Sequence, residues 1–150
     1  MKALCAAADV NRSTFYAHFR NQYDLLAYIE AEALEDLKAR LLADGEPRTR
    51  NVEKILEYAK ENADVFLMLL DESEGGFQRQ IMELAHLVDL QMSDQDAAVD
   101  ADDLEYMYLF AVSGALGMLS HWLKKGTPQS PAEMSELLMS MIQHGVEERA

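Results

Sequence analysis

Ala8-Asp9-Val10-Asn11-Arg12-Ser13-Thr14-Phe15-Tyr16-Ala17-His18-Phe19-Arg20-Asn21-Gln22-Tyr23-Asp24-Leu25-Leu26 holds one helix stop and two helix starts in quick succession. The residues before it, from Lys2, are Ala-rich and read as a short helix to Ala8 that Asp9-Val10 interrupts. Asn11 has the short acceptor side chain of an N-cap and opens a second short helix running to about Phe19. Asn21 opens a third and longer helix, with Asp24 at its third position, where a carboxylate favours the positive helix end. Two short helices joined by a tight turn have the geometry of a helix-turn-helix. In the second of them Phe15 and Phe19 are four apart and pack inward, while Arg12, Ser13, Tyr16 and His18 project elsewhere. An arginine can fork onto a guanine edge, and hydroxyls suit phosphate oxygens. Side chains near the amino end of such a helix are the ones that reach base edges.

Outward from this stretch the pattern stays helical. Leu25, Leu26, Ile29, Ala33, Leu34, Leu37 and Leu41 recur at three and four, so the third helix buries one face, and Asp44-Gly45-Glu46-Pro47 ends it. A fourth helix covers about 51–61, with Val52, Ile55, Leu56 and Ala59 on one side. Val65 to Leu70 is short and nearly all apolar, which fits a strand as well as a buried helix; its flanks and neighbours favour the helix. After the break at Glu74-Gly75-Gly76, Phe77 to Met92 is amphipathic, and Ser93 to Asp103 is a polar, acidic loop or frayed helix start. Leu104 to Leu123 is apolar around most of its circumference and must be covered on more than one side. Gly126 stops it, Ser130-Pro131-Ala132-Glu133 is a capping box, and Met134, Leu137, Leu138, Met141 and Ile142 form the stripe of the last helix. The fold class is all-α, without internal repeats.

The chain has 150 residues and a net charge of −14, which read globally argues against nucleic acid as a partner. Locally the balance reverses: Lys2, Arg12 and Arg20 against Asp9 leave +2 over residues 1–23, so the remainder carries −16. Such asymmetry suits a small phosphate-facing end on an acidic body, although +2 over so short a window is a small excess. No run approaches a bilayer-spanning length, no leader-like start is visible, and a single cysteine makes no internal disulfide; together these predict a cytoplasmic protein without a membrane partner.

Other constellations carry little chemistry. His18, His86, His121 and His144 lack ligand spacing, and Asp94, Asp96, Asp100, Asp102 and Asp103 lack the glycine and terminal glutamate of a calcium loop, so no metal or other cofactor is expected. Cys5 has no partner histidine nearby and reads as a small packing residue. No phosphate loop or nucleophile motif points to an enzyme. Nine methionines leave two readings open: Tyr58, Met68, Phe77, Met82, Met107, Phe110 and Trp122, with Phe66 and Met118, line an apolar cavity or are ordinary core.

The opening stretch resembles the helix-turn-helix signature of the TetR family of transcriptional regulators, with Ala8, Val10, Thr14, Phe15, Tyr16, His18, Phe19 and Leu25-Leu26 matching as they stand. The tail is similar to one subgroup of that family through Gly114-Ala115-Leu116-Gly117, His121-Trp122-Leu123-Lys124-Lys125-Gly126 and Ser130-Pro131-Ala132-Glu133-Met134. The resemblance implies a partial helix-turn-helix domain over 1–26 and a helical-bundle ligand-binding and dimerisation domain over 27–150. It places Arg12 and Ser13 at base-contacting positions and Thr14, Tyr16 and His18 at phosphate-contacting ones, with Asn11 and Arg20 completing the DNA-facing set. It implies homodimerisation through the last two helices, using Ser113, Gly114, Gly117 and Met118 on one and Met134, Leu137, Leu138, Met141 and Ile142 on the other. Double-stranded operator DNA and a small apolar effector are the implied partners. Three departures stand out: the sequence begins at the family's second helix, Asp9 replaces the usual turn glycine, and Gln22 stands where a phosphate-binding lysine is common. The first and third of these departures and the acidic charge support an alternative, a dimeric adaptor or ligand-binding protein that does not bind DNA.

Overall fold

The computed structural model describes residues 1–42, 47–72, 76–92 and 101–147. The breaks expected at Asp44–Glu46 and Glu74-Gly75, and the acidic stretch from Ser93 to Asp100, lie outside the described residues. Eight helices follow one another there: α1 (Lys2–Ala7), α2 (Arg12–His18), α3 (Gln22–Leu41), α4 (Arg48–Glu61), α5 (Ala63–Glu72), α6 (Gly76–Met92), α7 (Ala101–Lys124) and α8 (Pro131–Glu147). Among the described residues there is no strand, so the apolar run at Val65–Leu70 is helix, within α5. The chain forms two compact units, Met1–Asp36 and Leu37–Ala150, the division falling inside α3.

In the first unit, local backbone chemistry makes the turn. Asp9 has φ 52°, and around it the Val10 amide donates to the Cys5 carbonyl at 2.9 Å and the Asp9 amide to that of Ala6 at 3.3 Å. These two bonds are the Schellman closure of a helix end, which satisfies carbonyls that would otherwise be orphaned. Two residues later the Asn11 side chain accepts from the Ser13 amide at 3.1 Å and starts α2. The helix stop and the next start are thus three residues apart. Phe15 and Cys5 are buried, and Phe19 bridges the Phe15 and Tyr28 rings at centroid distances of 5.6 and 5.7 Å. At α3, Asn21 Oδ1 accepts from the Tyr23 and Asp24 amides, while the Asp24 carboxylate accepts from the Arg20 amide.

The second unit packs α4 on α8, and α7 on α5, α6 and α8. Its core runs from Leu56 and Ala59 on α4 through Phe66, Leu69 and Leu70 on α5 and Phe77 on α6 to Leu119, Trp122 and Leu123 on α7. Tyr58, Phe66 and Phe77 stack edge to face at 5.4 and 6.2 Å, a geometry that aligns ring edges with ring faces. Ser135, 1% exposed, lets α8 come close to α4 and donates its hydroxyl to the Thr49 carbonyl at 2.7 Å. Asn51 Nδ2 donates to the Leu41 carbonyl at 3.3 Å, and the Arg40 guanidinium lies 4.2 Å from the Tyr58 ring centre, so α4 holds the carboxyl end of α3.

The α7–α8 corner is fixed at both ends. Gly126, with φ 77°, ends α7 through bonds from Thr127 to Trp122 and from Gly126 to Leu123. Trp122 Nε1 donates to the Gln129 carbonyl at 3.1 Å, tying the loop to the core. Ser130 and Glu133 then exchange the two bonds of a capping box, at 2.8 and 3.2 Å. Because the Glu133 carboxylate accepts from the Ser130 amide and hydroxyl, its pKa lies below the ordinary value.

Candidate DNA-facing helix and regulatory body

Asn11, Arg12, Ser13, Thr14, Tyr16, His18 and Arg20 are all exposed, whereas Phe15 between them is buried. Helical spacing puts Ser13 and Ala17 opposite Phe15, with Arg12 and Tyr16 on one flank and Thr14 and His18 on the other. One short helix therefore offers a guanidinium, two hydroxyls, a phenol and an imidazole to solvent around a single inward anchor. Tyr16 is 47% exposed although its ring meets Phe15 edge to face at 5.4 Å, so the ring is supported while the hydroxyl stays outside. The Ser13 hydroxyl also donates to Asn11 Oδ1 at 3.1 Å, which orients it at the amino end of the helix. Arg20 is the least constrained: its side chain is 89% exposed and lies 3.7 Å from Asp24, a distance at which the pair contributes little.

Two hollows mark the body. The first is a groove of about 550 Å³ between α7 and α8, with Met107, Phe110, Ala111, Gly114 and Met118 on one wall and Leu138, Met141 and Ile142 on the other. Two of its lining residues are markedly exposed for apolar side chains, Phe110 at 79% and Met141 at 55%, and Leu137 on α8 is 41% exposed. A Cβ added at Gly114 or Gly117 would meet no atom within 4 Å, so α7 has room there for another element to approach. The second is a cleft of about 410 Å³ where α5, α6 and α7 meet, with Met82, Ser113 and Gly117 among its walls.

The two sets expected on the body are redistributed by these hollows. Of the residues read as one apolar cavity, Met107 and Phe110 line the α7–α8 groove and Met82 lines the other cleft. Phe77 and Trp122 are core, at 0% and 1% exposure, and Tyr58 and Met68 are half-buried and line neither hollow. The structure does not bring the seven together, because α7 turns different faces to α8 and to α5–α6. Of the residues expected to face a second copy, Gly114, Met118, Leu138, Met141 and Ile142 share the groove, and Leu137 lies exposed on α8. Ser113 and Gly117 belong to the cleft instead, and Met134 is buried inside the subunit. Sequence reasoning missed Asp71, Gln78, Ser120, His121 and Lys124, which the fold gathers from three helices; the only local signal was the run of small residues at 113, 117 and 120.

Among the described residues no cluster of three or more histidine, cysteine or carboxylate side chains is arranged to hold a metal ion, and no helix is long and apolar enough to cross a membrane. Cys5 is a free, buried thiol. Residues 49–144 match the family model of a TetR-type transcriptional regulator C-terminal region. None of the curated proteins matches the chain.

Proposed function

The chain belongs to the TetR family of transcriptional regulators, and from that premise we propose that it acts as a homodimer that reads double-stranded operator DNA through α2 and answers to a small molecule held in its C-terminal body. The observation that carries this reading is the division of labour on α2: Phe15 is buried, and every residue assigned to DNA contact is exposed on the same helix or its flanks. Arg12 and Ser13, at the amino end, address base edges; Thr14, Tyr16, His18, Asn11 and Arg20 address phosphates. Two copies paired through the exposed α7–α8 faces present two such helices to successive major grooves, about 34–36 Å apart. A ligand that favours one spacing of those helices over another shifts DNA affinity by its differential affinity for the two states.

Fluorescence anisotropy of the full chain on DNA from its own promoter tests this. The expected result is sequence-preferring binding that weakens steeply with salt, is lost in Arg12→Ala and weakens across all sequences in Tyr16→Phe. Binding without sequence preference, or none, refutes it. The −16 carried outside residues 1–23, and Gln22 in place of a lysine, favour a second reading: a dimeric adaptor or ligand-binding protein without operator affinity. A stable dimer that fails this titration selects that second reading.

A further inference from the structure

We infer that the cleft where α5, α6 and α7 meet is a binding site for a small zwitterion with a short apolar body, of the amino-acid or dipeptide class. At about 410 Å³ it lies within the size range of small-molecule sites. It is open because α7 presents Ser113, Gly117 and Ser120 to it at helical spacing, and a Cβ at Gly117 would touch nothing within 4 Å. Leu70, Met82 and Leu116 give it an apolar part.

Its polar groups set the ligand chemistry. Lys124 Nζ sits 3.1 Å from Asp71 Oδ1 across the mouth, with side chains 52% and 54% exposed. An ion pair that open to water is weak, so an incoming molecule separates it at little cost. An ammonium group then meets Asp71 and a carboxylate meets Lys124, and neither protein charge is left alone. Ser113, Ser120 and His121 also line the cleft and have no side-chain partner among the described residues. A wholly apolar ligand would strip water from all of these groups and return no hydrogen bond, a net loss. A dianion would set a negative group against Asp71. The α7–α8 groove is more apolar, with His144 the one titratable residue lining it among the described residues, so the two hollows select different chemistry.

The sequence holds one tryptophan, and Trp122 lies between His121 and Lys124 in the chain, which makes its fluorescence a probe of the site without DNA. The full chain is titrated with the twenty amino acids and leucine-containing dipeptides. The N-acetylated, C-amidated forms serve as uncharged counterparts, and amide NMR shifts localise binding. The expected result is saturable binding by at least one zwitterion, with shifts at Ser113, Ser120 and His121, and no saturation by its uncharged form. Asp71→Asn and Lys124→Gln, both at exposed positions that keep the fold, each weaken it by about tenfold, and Ser120→Leu blocks it by filling the cleft. No saturable zwitterion, equal binding of the uncharged form, or unchanged affinity in both charge variants overturns the inference. That such a ligand also controls DNA binding rests on the regulator reading above. Saturable binding that leaves operator affinity untouched refutes that control and keeps the site, whereas operator binding without any zwitterion at the cleft refutes the site and keeps the regulator reading.

Discussion

Phe110→Ala separates a surface that pairs from one that is merely exposed. Phe110 is 79% exposed on α7 and lines the groove against α8, so in a lone subunit most of its ring faces water. Full burial of a phenylalanine is worth about 1.5–3 kcal/mol, and scaling by the exposed fraction leaves about 1.2–2.4 kcal/mol per copy to be gained on pairing. A two-fold dimer contains the residue twice, so its loss weakens association by about 2.4–4.8 kcal/mol, or roughly two to three and a half decades in Kd. The subunit itself is indifferent to the change, because Phe110 contributes almost nothing to its own core. Sedimentation equilibrium of the parent chain and of Phe110→Ala over a concentration series reads the Kd directly. Urea unfolding at a dilution where both are monomeric serves as the control, with expected agreement within about 0.5 kcal/mol. A parent chain that stays monomeric at high micromolar concentration, or a Phe110→Ala Kd within threefold of the parent's, refutes pairing through this face.

Three further outcomes follow from local geometry. Ser135→Ala loses the buried bond to the Thr49 carbonyl and costs about 0.5–1.5 kcal/mol in urea unfolding, whereas Ser135→Leu forces α8 off α4 and costs more, about 1–3 kcal/mol or above; equal effects would deny that the small side chain sets the approach. Asp9→Gly relieves the left-handed backbone at φ 52° and raises the protection of α1 and α2 amides in hydrogen exchange by about 0.5 kcal/mol, while Asp9→Val lowers it by about 1–2 kcal/mol; a loss on Asp9→Gly would refute the strain. The Glu133 carboxyl titrates below its ordinary 4.5 in side-chain NMR because the Ser130 amide, and then its hydroxyl, donate to the charged form; Ser130→Ala keeps the amide, removes the hydroxyl and moves the midpoint part of the way back up. Since the folded-state pKa is the lower one, the capping contribution is fully present at neutral pH, begins to fade as pH falls through the unfolded value, and is gone below the folded one; a midpoint unaffected by Ser130→Ala would refute it.

The helices were legible wherever a start or stop is made by neighbours in the chain. Asn11, Asn21, Ser130-Glu133 and Gly126 all do in space what their chemistry announces, since a cap needs only a side chain within three residues of the amide it serves. Asp9, which stands where the resembled family has a turn glycine, takes the left-handed backbone that glycine favours, at φ 52°. Val65–Leu70 was not decidable by itself: a short apolar run is buried in either conformation, and packing on α4, α6 and α7 selects the helix. Ser135 was missed for the complementary reason. A serine beside Met134 on an amphipathic helix reads as the polar edge, and nothing local says that α4 comes close enough to bury it.

The apolar residues of the body were legible in kind but not in arrangement, and α7 shows why. Its apolar residues run around nearly the whole circumference, so the periodicity that identifies a buried face on α4 or α8 has no single direction to report. Three surfaces share those turns. Leu119, Trp122 and Leu123 enter the core; Met107, Ala111, Gly114 and Met118 face the α8 groove; Ser113, Gly117, Ser120 and Lys124 face the cleft beside α5 and α6. Gly114 and Gly117 look equivalent in the sequence, three apart and both small, yet the offset short of a full turn sends them to hollows of different polarity. Chemical type therefore grouped Met82 with Phe110, and the family resemblance grouped Ser113 with Gly114, whereas the fold lines different hollows with the members of each pair. What distinguishes the members of each pair is the neighbour each one meets, Asp71 and Gln78 on one side and Met141 and Ile142 on the other. Those neighbours come from helices that the chain reaches dozens of residues before or after α7.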